Sequence, residues 1–125
     1  MERLVFTVTT RSDQPGVVVH LADAELAKQT AALRNARNLR ADLGPGTPIE
    51  LVAHGPAVGL LRSAGQHREA VAALLQDGVA FAACKNSMRS LAMDTADLVP
   101  GVDIVPSGVG HLARRQFTGW AYLRP

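Results

Sequence analysis

The chain carries one cysteine, Cys84, between the apolar run 79–83 and the segment 85–89, which reads as the opening of a helix. A thiol at a strand-to-helix junction meets the free N–H groups of the helix start, here with Lys85 and Arg89 close in sequence. Both features favour the thiolate, the form that attacks electrophiles and carries sulfur. Free cysteine is also a residue type that packs as a small buried apolar side chain, so exposure and pKa decide between a reactive and a structural thiol. His20, His54 and Ser107 fall, like Cys84, at the ends of strand-like runs. In an open parallel sheet, ligands bind in the crevice beyond the carboxyl ends of the strands. Two imidazoles, a thiol and a hydroxyl would share one edge there, with the backbone amides after Cys84 and Ser107, at Asn86 and Gly108 among others, as anion donors. Cys84 is therefore the candidate nucleophile, and His54 its expected neighbour. His20, Asn86, Arg89, Ser107 and Gly108 are candidate ligand-binding residues. Each histidine and Ser107 also has a structural reading: His20 capping strand-end carbonyls, His54 leading into the Gly55-Pro56 turn, Ser107 as a helix N-cap.

Other chemistries fit less well. The stretch Gly55-Pro56-Ala57-Val58-Gly59 lacks the Gly-Lys-Ser/Thr ending of a phosphate-binding loop, and its proline removes an amide that such a loop uses. No H-E-x-x-H or C-x-x-C spacing occurs, and the four histidines, His20, His54, His67 and His111, are dispersed, so neither a metal nor another cofactor is expected. A Cys-His hydrolase built from Cys84 and His54 would need an orienting acid that no spacing identifies. Arg34, Arg37 and Arg40 read as a solvated helix face. Arg114 and Arg115 follow a helix start and could face the edge that carries Cys84.

The elements that must position these groups alternate between short β-branched runs and longer helical ones, the pattern of βαβ units. Strands are expected at 17–20, 49–54, 79–83, 102–105 and 120–123. Helices are expected at 22–43, with Ala32, Ala36, Leu39 and Leu43 on one stripe, at a segment ended by Asp77-Gly78, at 87–93, and after the N-cap Ser107. Residues 55–59 read as a loop, and Gly59-Leu60-Leu61 as apolar residues within it, whose exposure would favour a covering partner. Right-handed crossovers fold this order into a three-layer α/β/α sandwich with a five-stranded, mostly parallel sheet. Residues 4–9 form a further strand-like run, expected either to pair antiparallel with 17–20 or to be a core strand in its own right.

At 125 residues and 47% hydrophobic, the chain is expected to be one domain with a single core, with 1–15 as an apparent extension. A formal charge of +2, with one Trp, one Tyr and three Phe, offers little to a nucleic acid. A single cysteine cannot form an internal disulfide and suits a reducing compartment. The run 4–8 is too short for a membrane span or a signal peptide's core, so a cytoplasmic protein without membrane contact is expected.

Four blocks carry a resemblance to a known family: Leu33-Arg34-Asn35-Ala36-Arg37-Asn38-Leu39, Glu50-Leu51-Val52-Ala53-His54-Gly55-Pro56, Ala83-Cys84-Lys85-Asn86-Ser87-Met88-Arg89, and the run from Leu98 through Pro106-Ser107-Gly108 to Val109. In their order and spacing, residues 20–125 resemble the DsrE/DsrF-like superfamily, the intracellular sulfur-oxidation and sulfur-relay proteins, and especially its small single-domain branch. The resemblance implies the same three-layer fold and assembly into homo-oligomers, trimers or hexamers. It also implies a cysteine that carries sulfur as a persulfide between donor and acceptor proteins. Cys84 matches that position, and His54 matches the family's His-Gly after the second strand. The expected function is thus a sulfur carrier rather than a turnover enzyme. The alternative is a non-catalytic oligomeric module that binds a small ligand or a protein at the strand-end crevice, with Cys84 merely packed.

Overall fold

Strands covered on both faces have no solvent side, so they read as unbroken apolar runs rather than alternating ones. In the computed structural model, which describes residues 14–125, three buried and mostly apolar runs, broken only by His20 and Glu50, form the middle of a sheet: β1 (Val17–Leu21), β2 (Ile49–Ala53) and β3 (Ala80–Cys84). Two shorter strands, β4 (Asp103–Val105) and β5 (Ala121–Leu123), complete it in the order β4-β3-β2-β1-β5, with every pairing parallel. The helices are α1 (Leu26–Leu43), α2 (Arg68–Gln76), α3 (Lys85–Ser90) and α4 (Gly108–Phe117).

The winding reverses once. From β1 to β4 the chain steps along the sheet in one direction, and α1, α2 and α3 lie on one face. After β4 it returns past the first strands to β5, and a crossover of the same hand puts α4 on the other face. The two faces are correspondingly unequal. Val19, Leu21, Leu51, Ala53, Phe81 and Ala83 point into the large core under α1 to α3. On the second face, Val18, Val52 and Ala82 meet Leu112 of α4, with Val105 and Trp120 at the margin.

Several expectations are corrected by packing. Residues 22–25 are not helical, and α1 starts only at Leu26, with Glu25 as its cap. Its buried stripe is Gln29, Ala32, Leu33 and Ala36, while Leu43 is exposed. Arg40 does not belong to a solvated face. Its guanidinium donates to the carbonyls of Gly44, Thr47, Asp77 and Gly78 at 2.8–3.0 Å and so ties the end of α1 to two turns. Residues 55–59 are not an open loop but part of a 3-10 helix, Gly55–Leu61, that buries Ala57, Val58, Leu60 and Leu61 in the large core. Leu60 and Leu61 therefore need no covering partner. Both edges of β1 are occupied, by β2 and β5, which removes the place for an antiparallel partner to it. The run 4–9 itself lies outside the described residues. Among the described residues, no helix is long and apolar enough to cross a membrane.

A carboxylate in a strand buried on both faces requires compensation. Glu50 is 4% exposed, and its Oε1 accepts hydrogen bonds from Arg115 Nε at 2.9 Å and, at the same distance, from His111 Nε2. The Arg115 guanidinium also lies 4.3 Å over the Trp120 ring. Arg115 thus sits over the amino half of the sheet, not at the edge of Cys84, because α4 runs back from the carboxyl edge and carries Arg115 two turns away from its start. Arg115→Ala leaves the buried Glu50 carboxylate with His111 as its remaining side-chain partner. Since the arginine is itself about a third exposed, we expect a loss of about 1–3 kcal/mol in urea unfolding. An unchanged midpoint and slope would show that the ion pair does not anchor α4.

Candidate functional site

Parallel register brings the candidate residues together. Ala53 lies opposite Ala83, so the next residues, His54 just past β2 and Cys84 at the end of β3, stand side by side at the sheet's carboxyl edge. His20 lies opposite Val52 and on the same face, one step below His54. Above this row the chain returns from β4 and starts α4, whose N-cap Ser107 accepts a hydrogen bond from Gly110 N at 3.1 Å. His54, Cys84, Asn86, Ser107, Gly108 and Val109 line a cleft of about 190 Å³, with Ser87 and Ser90 of α3 on its other side.

Gly108 sets the height of that cleft. A Cβ on it would stand 3.1 Å from His54 Cβ, 3.2 Å from Cys84 Cβ and 3.6 Å from Cys84 Sγ, the first two closer than side chains ordinarily pack. Without a side chain, the Gly108 backbone approaches the thiol and its amide donates to the sulfur. Cys84 is 3% exposed but lies shallowly, at the cleft floor. Burial, the largest single influence, pushes the thiol pKa up. Hydrogen bonds from the Ser87 hydroxyl and from the amides of Gly108, Ser87 and Asn86 together outweigh it and hold the pKa below the ordinary cysteine value. Ser87 is oriented for this role. Its Oγ accepts from Gly55 N at 2.8 Å, which leaves its one proton for the sulfur. Gly55 turns the chain after His54 with a φ of +64°, a conformation that glycine adopts without strain.

A hydrogen-bonded row runs sideways from the cleft along the sheet edge. His20 Nε2 is 3.4 Å from His54 Nδ1, and His20 Nδ1 is 2.6 Å from the Tyr122 hydroxyl on β5. Burial first, then the neighbouring His54 and Arg124, hold the His20 pKa below the usual histidine value.

The expected cluster of Cys84, His54, Ser107, Gly108 and Asn86 is therefore assembled. His20 stands behind His54 rather than in the cleft. Lys85 and Arg89 do not act on the thiol as their positions in sequence suggest. Both side chains are exposed, and Arg89 Nη1 is bound to Asn86 Oδ1 at 2.7 Å. Arg114 is exposed as well. Ser87 and Tyr122 were missed. Ser87 stands three residues after the cysteine, a spacing that one helical turn folds back onto the sulfur. Tyr122 gives no such signal, since only the strand order places β5 beside β1. Among the described residues, no group of three or more His, Cys, Asp or Glu side chains could hold a metal ion. A larger cavity of about 500 Å³ lies on the opposite face, lined by α1 and β5 residues including Asn35, Asn38, Asp42, Leu123 and Arg124, and holds no thiol or imidazole.

Comparison with known proteins agrees with this geometry. A family model described as the DsrE/DsrF-like family matches residues 16–125. Among solved structures, a protein of unknown function from Methanobacterium thermoautotrophicum, MTH1491, is similar with 43% identity and a TM-score of 0.85 over 90% of this chain and 100% of its own. The ychN protein from E. coli, at 18% identity and a TM-score of 0.77, covers 90% of this chain and 100% of its own. A conserved protein of unknown function from Bacteroides thetaiotaomicron, BT1422, at 15% identity and a TM-score of 0.74, covers 94% of this chain and 100% of its own. The last two share the fold. No curated protein matches the sequence.

The donors around Cys84 generate a direct expectation for its titration. A lowered pKa means that the thiolate fraction rises earlier as pH increases, so alkylation by iodoacetamide should reach its half-maximal rate below the pH of an ordinary free cysteine. Ser87→Ala removes the side-chain donor and should move that midpoint upward, while Arg89→Ala should leave it in place. A midpoint insensitive to Ser87 would assign the thiol's environment to the backbone amides alone.

Proposed function

The chain belongs to the DsrE/DsrF-like family, and from that premise we propose that it is a single-cysteine sulfur carrier with Cys84 as the carrying residue. The observation that supports this most is the set of hydrogen-bond donors directed at the Cys84 sulfur, which favours the thiolate in spite of burial. In the loading step the Cys84 thiolate attacks the outer sulfur of a donor persulfide, R–S–SH. A bond forms from Cys84 Sγ to that sulfur, the donor's S–S bond breaks, and R–S⁻ leaves as a thiolate while the proton stays on the transferred sulfur. Delivery reverses the roles: an acceptor thiolate takes the outer sulfur and Cys84 leaves as the thiolate. The same donors that favour the resting thiolate make Cys84 a better leaving group. With one cysteine in the chain, the acceptor is a thiol of another molecule.

The cleft's size agrees with this assignment. At about 190 Å³ it is smaller than the roughly 300–1,000 Å³ that ordinary small-molecule pockets enclose, and it suits a sulfane sulfur or a chain end better than a cofactor. A second reading, a binding module with Cys84 merely packed, draws on two observations. The thiol is 3% exposed, and the cavity on the opposite face, at about 500 Å³, has the volume of a small-ligand pocket.

Incubation with a persulfide donor should add one sulfur atom's mass to the wild type, reversible by a reductant, and none to Cys84→Ser, which should stay folded because a hydroxyl occupies the same space. His54→Ala should slow loading without abolishing it, since the donors to the sulfur remain. No mass gain in folded wild type across several donors would favour the binding module.

We also propose that the chain assembles with copies of itself. The support comes from exposed apolar side chains, Val109 at 56% and Phe117 at 83% on α4 on the second face, and Tyr122 and Leu123 on the two faces of the edge strand β5. Light scattering should find an oligomer at micromolar concentration, and Phe117→Glu should shift it toward monomer. Monomer alone in the wild type would overturn the assembly.

A further inference from the structure

The row Tyr122–His20–His54 is unused by the sulfur step as written, yet it joins three elements at the site's edge. Its direction can be read from its ends. A phenol is a better donor to an imidazole nitrogen than an acceptor from one, so at 2.6 Å the Tyr122 hydroxyl gives its proton to His20 Nδ1. The remaining nitrogen of a neutral His20, Nε2, then carries the hydrogen and points it at His54 Nδ1, 3.4 Å away. That separation is long for such a bond, so the contact is the weaker link of the row. His54 Nδ1 is thereby an acceptor, and the proton of its neutral ring must reside on Nε2. Among the described residues Nε2 has no hydrogen-bond partner, and it is not sealed from solvent. It is the nitrogen left for whatever enters the cleft that His54 lines.

We infer that Tyr122 is a positioning residue that acts through His20 to fix His54 as its Nε2–H tautomer, so that the cleft offers an N–H donor to an anionic sulfur group. This rests on the sulfur-carrier reading for the identity of the ligand, but not for the direction of the row. Its consequence is a division of labour. Amides and the Ser87 hydroxyl hold the Cys84 sulfur, and His54 stabilises the negative charge that passes to the departing thiolate during loading. It does not serve as the base that removes the thiol proton. The low His20 pKa agrees, since a charged His20 would present hydrogens on both nitrogens and break the row at Tyr122. The charged and titratable groups facing His20 are His54, Tyr122 and Arg124.

Nitrogen-15 spectra of histidine-labelled protein, assigned with His20→Ala and His54→Ala, read each ring's tautomer at a pH where the rings are neutral. We expect protonated Nε2 and unprotonated Nδ1 on both His20 and His54. Tyr122→Phe, which removes one hydroxyl from a side chain at the sheet edge, should leave the fold intact and convert His54 to a mixture of tautomers. It should also slow sulfur loading about 2- to 10-fold, the range expected for one hydrogen bond. A wild-type His54 protonated on Nδ1, or a His54 tautomer unmoved by Tyr122→Phe, would overturn the inference. Absence of sulfur loading with the expected tautomers would overturn the carrier reading and leave the hydrogen-bond row standing, so the two failures are distinguishable.

Discussion

At Gly108 the backbone of α4 comes so near the sheet edge that a Cβ there would stand 3.1 Å from His54 Cβ and 3.2 Å from Cys84 Cβ. Such an approach persists only if the helix behind it is held down, and the second face of the sheet supplies the means. Leu112, one turn along α4, closes the small core of Val18, Val52 and Ala82. A turn farther, Arg115 reaches the buried Glu50 carboxylate, which His111 also engages. An apolar contact and a charged one thus fix the height and the rotation of a ten-residue helix, and its first amide is delivered to a sulfur atom at the other end.

This arrangement explains why a charged residue is tolerated in the middle of an apolar sheet. A buried ion pair is weak evidence for stability, because desolvation of both partners offsets most of the attraction. It is nonetheless directional: one carboxylate oxygen accepts from Arg115 Nε and His111 Nε2, a condition that a slipped or rotated helix would not meet. Apolar contact alone, through the one buried leucine of α4, would leave more freedom in rotation than the Gly108 contact allows. Here the polar groups contribute register to an interface that Leu112 makes favourable.

The order of elements, the strand ends and the gathering of Cys84, His54 and Ser107 were legible because they depend on local pattern: apolar runs of strand length, glycine stops, and the parallel-sheet rule that loops after strands share an edge. What escaped depends on register or on which face a residue occupies. Arg115 was expected near Cys84 because it follows Ser107 closely in sequence, but eight residues of helix carry it to the far half of the sheet. Leu60 and Leu61 looked exposed because Gly55 and Pro56 read as a loop, whereas the proline occupies the first turn of a 3-10 helix, where no amide is needed. Lys85 and Arg89 looked electrostatically important because sequence gives proximity but not direction, and their side chains point to solvent. Tyr122 could not be found at all without the strand order, since 102 residues separate it from His20.

The donors at the sulfur constrain how a carrier of this design must operate. Hydrogen bonds that lower a thiol's pKa also lower its intrinsic nucleophilicity, while making it a better leaving group. A site tuned in this direction gains more in release than in attack, provided that the thiolate is already the resting form. The 3% exposure of Cys84 adds a steric condition, for a persulfide sulfur must reach the cleft floor between α3 and the start of α4. Neither wall of the cleft is loose: Gly108 is fixed by the helix behind it, and α3 buries Met88 in the large core and accepts from Gly55 N through Ser87 Oγ at 2.8 Å, so the donors to the sulfur are held on both sides of it.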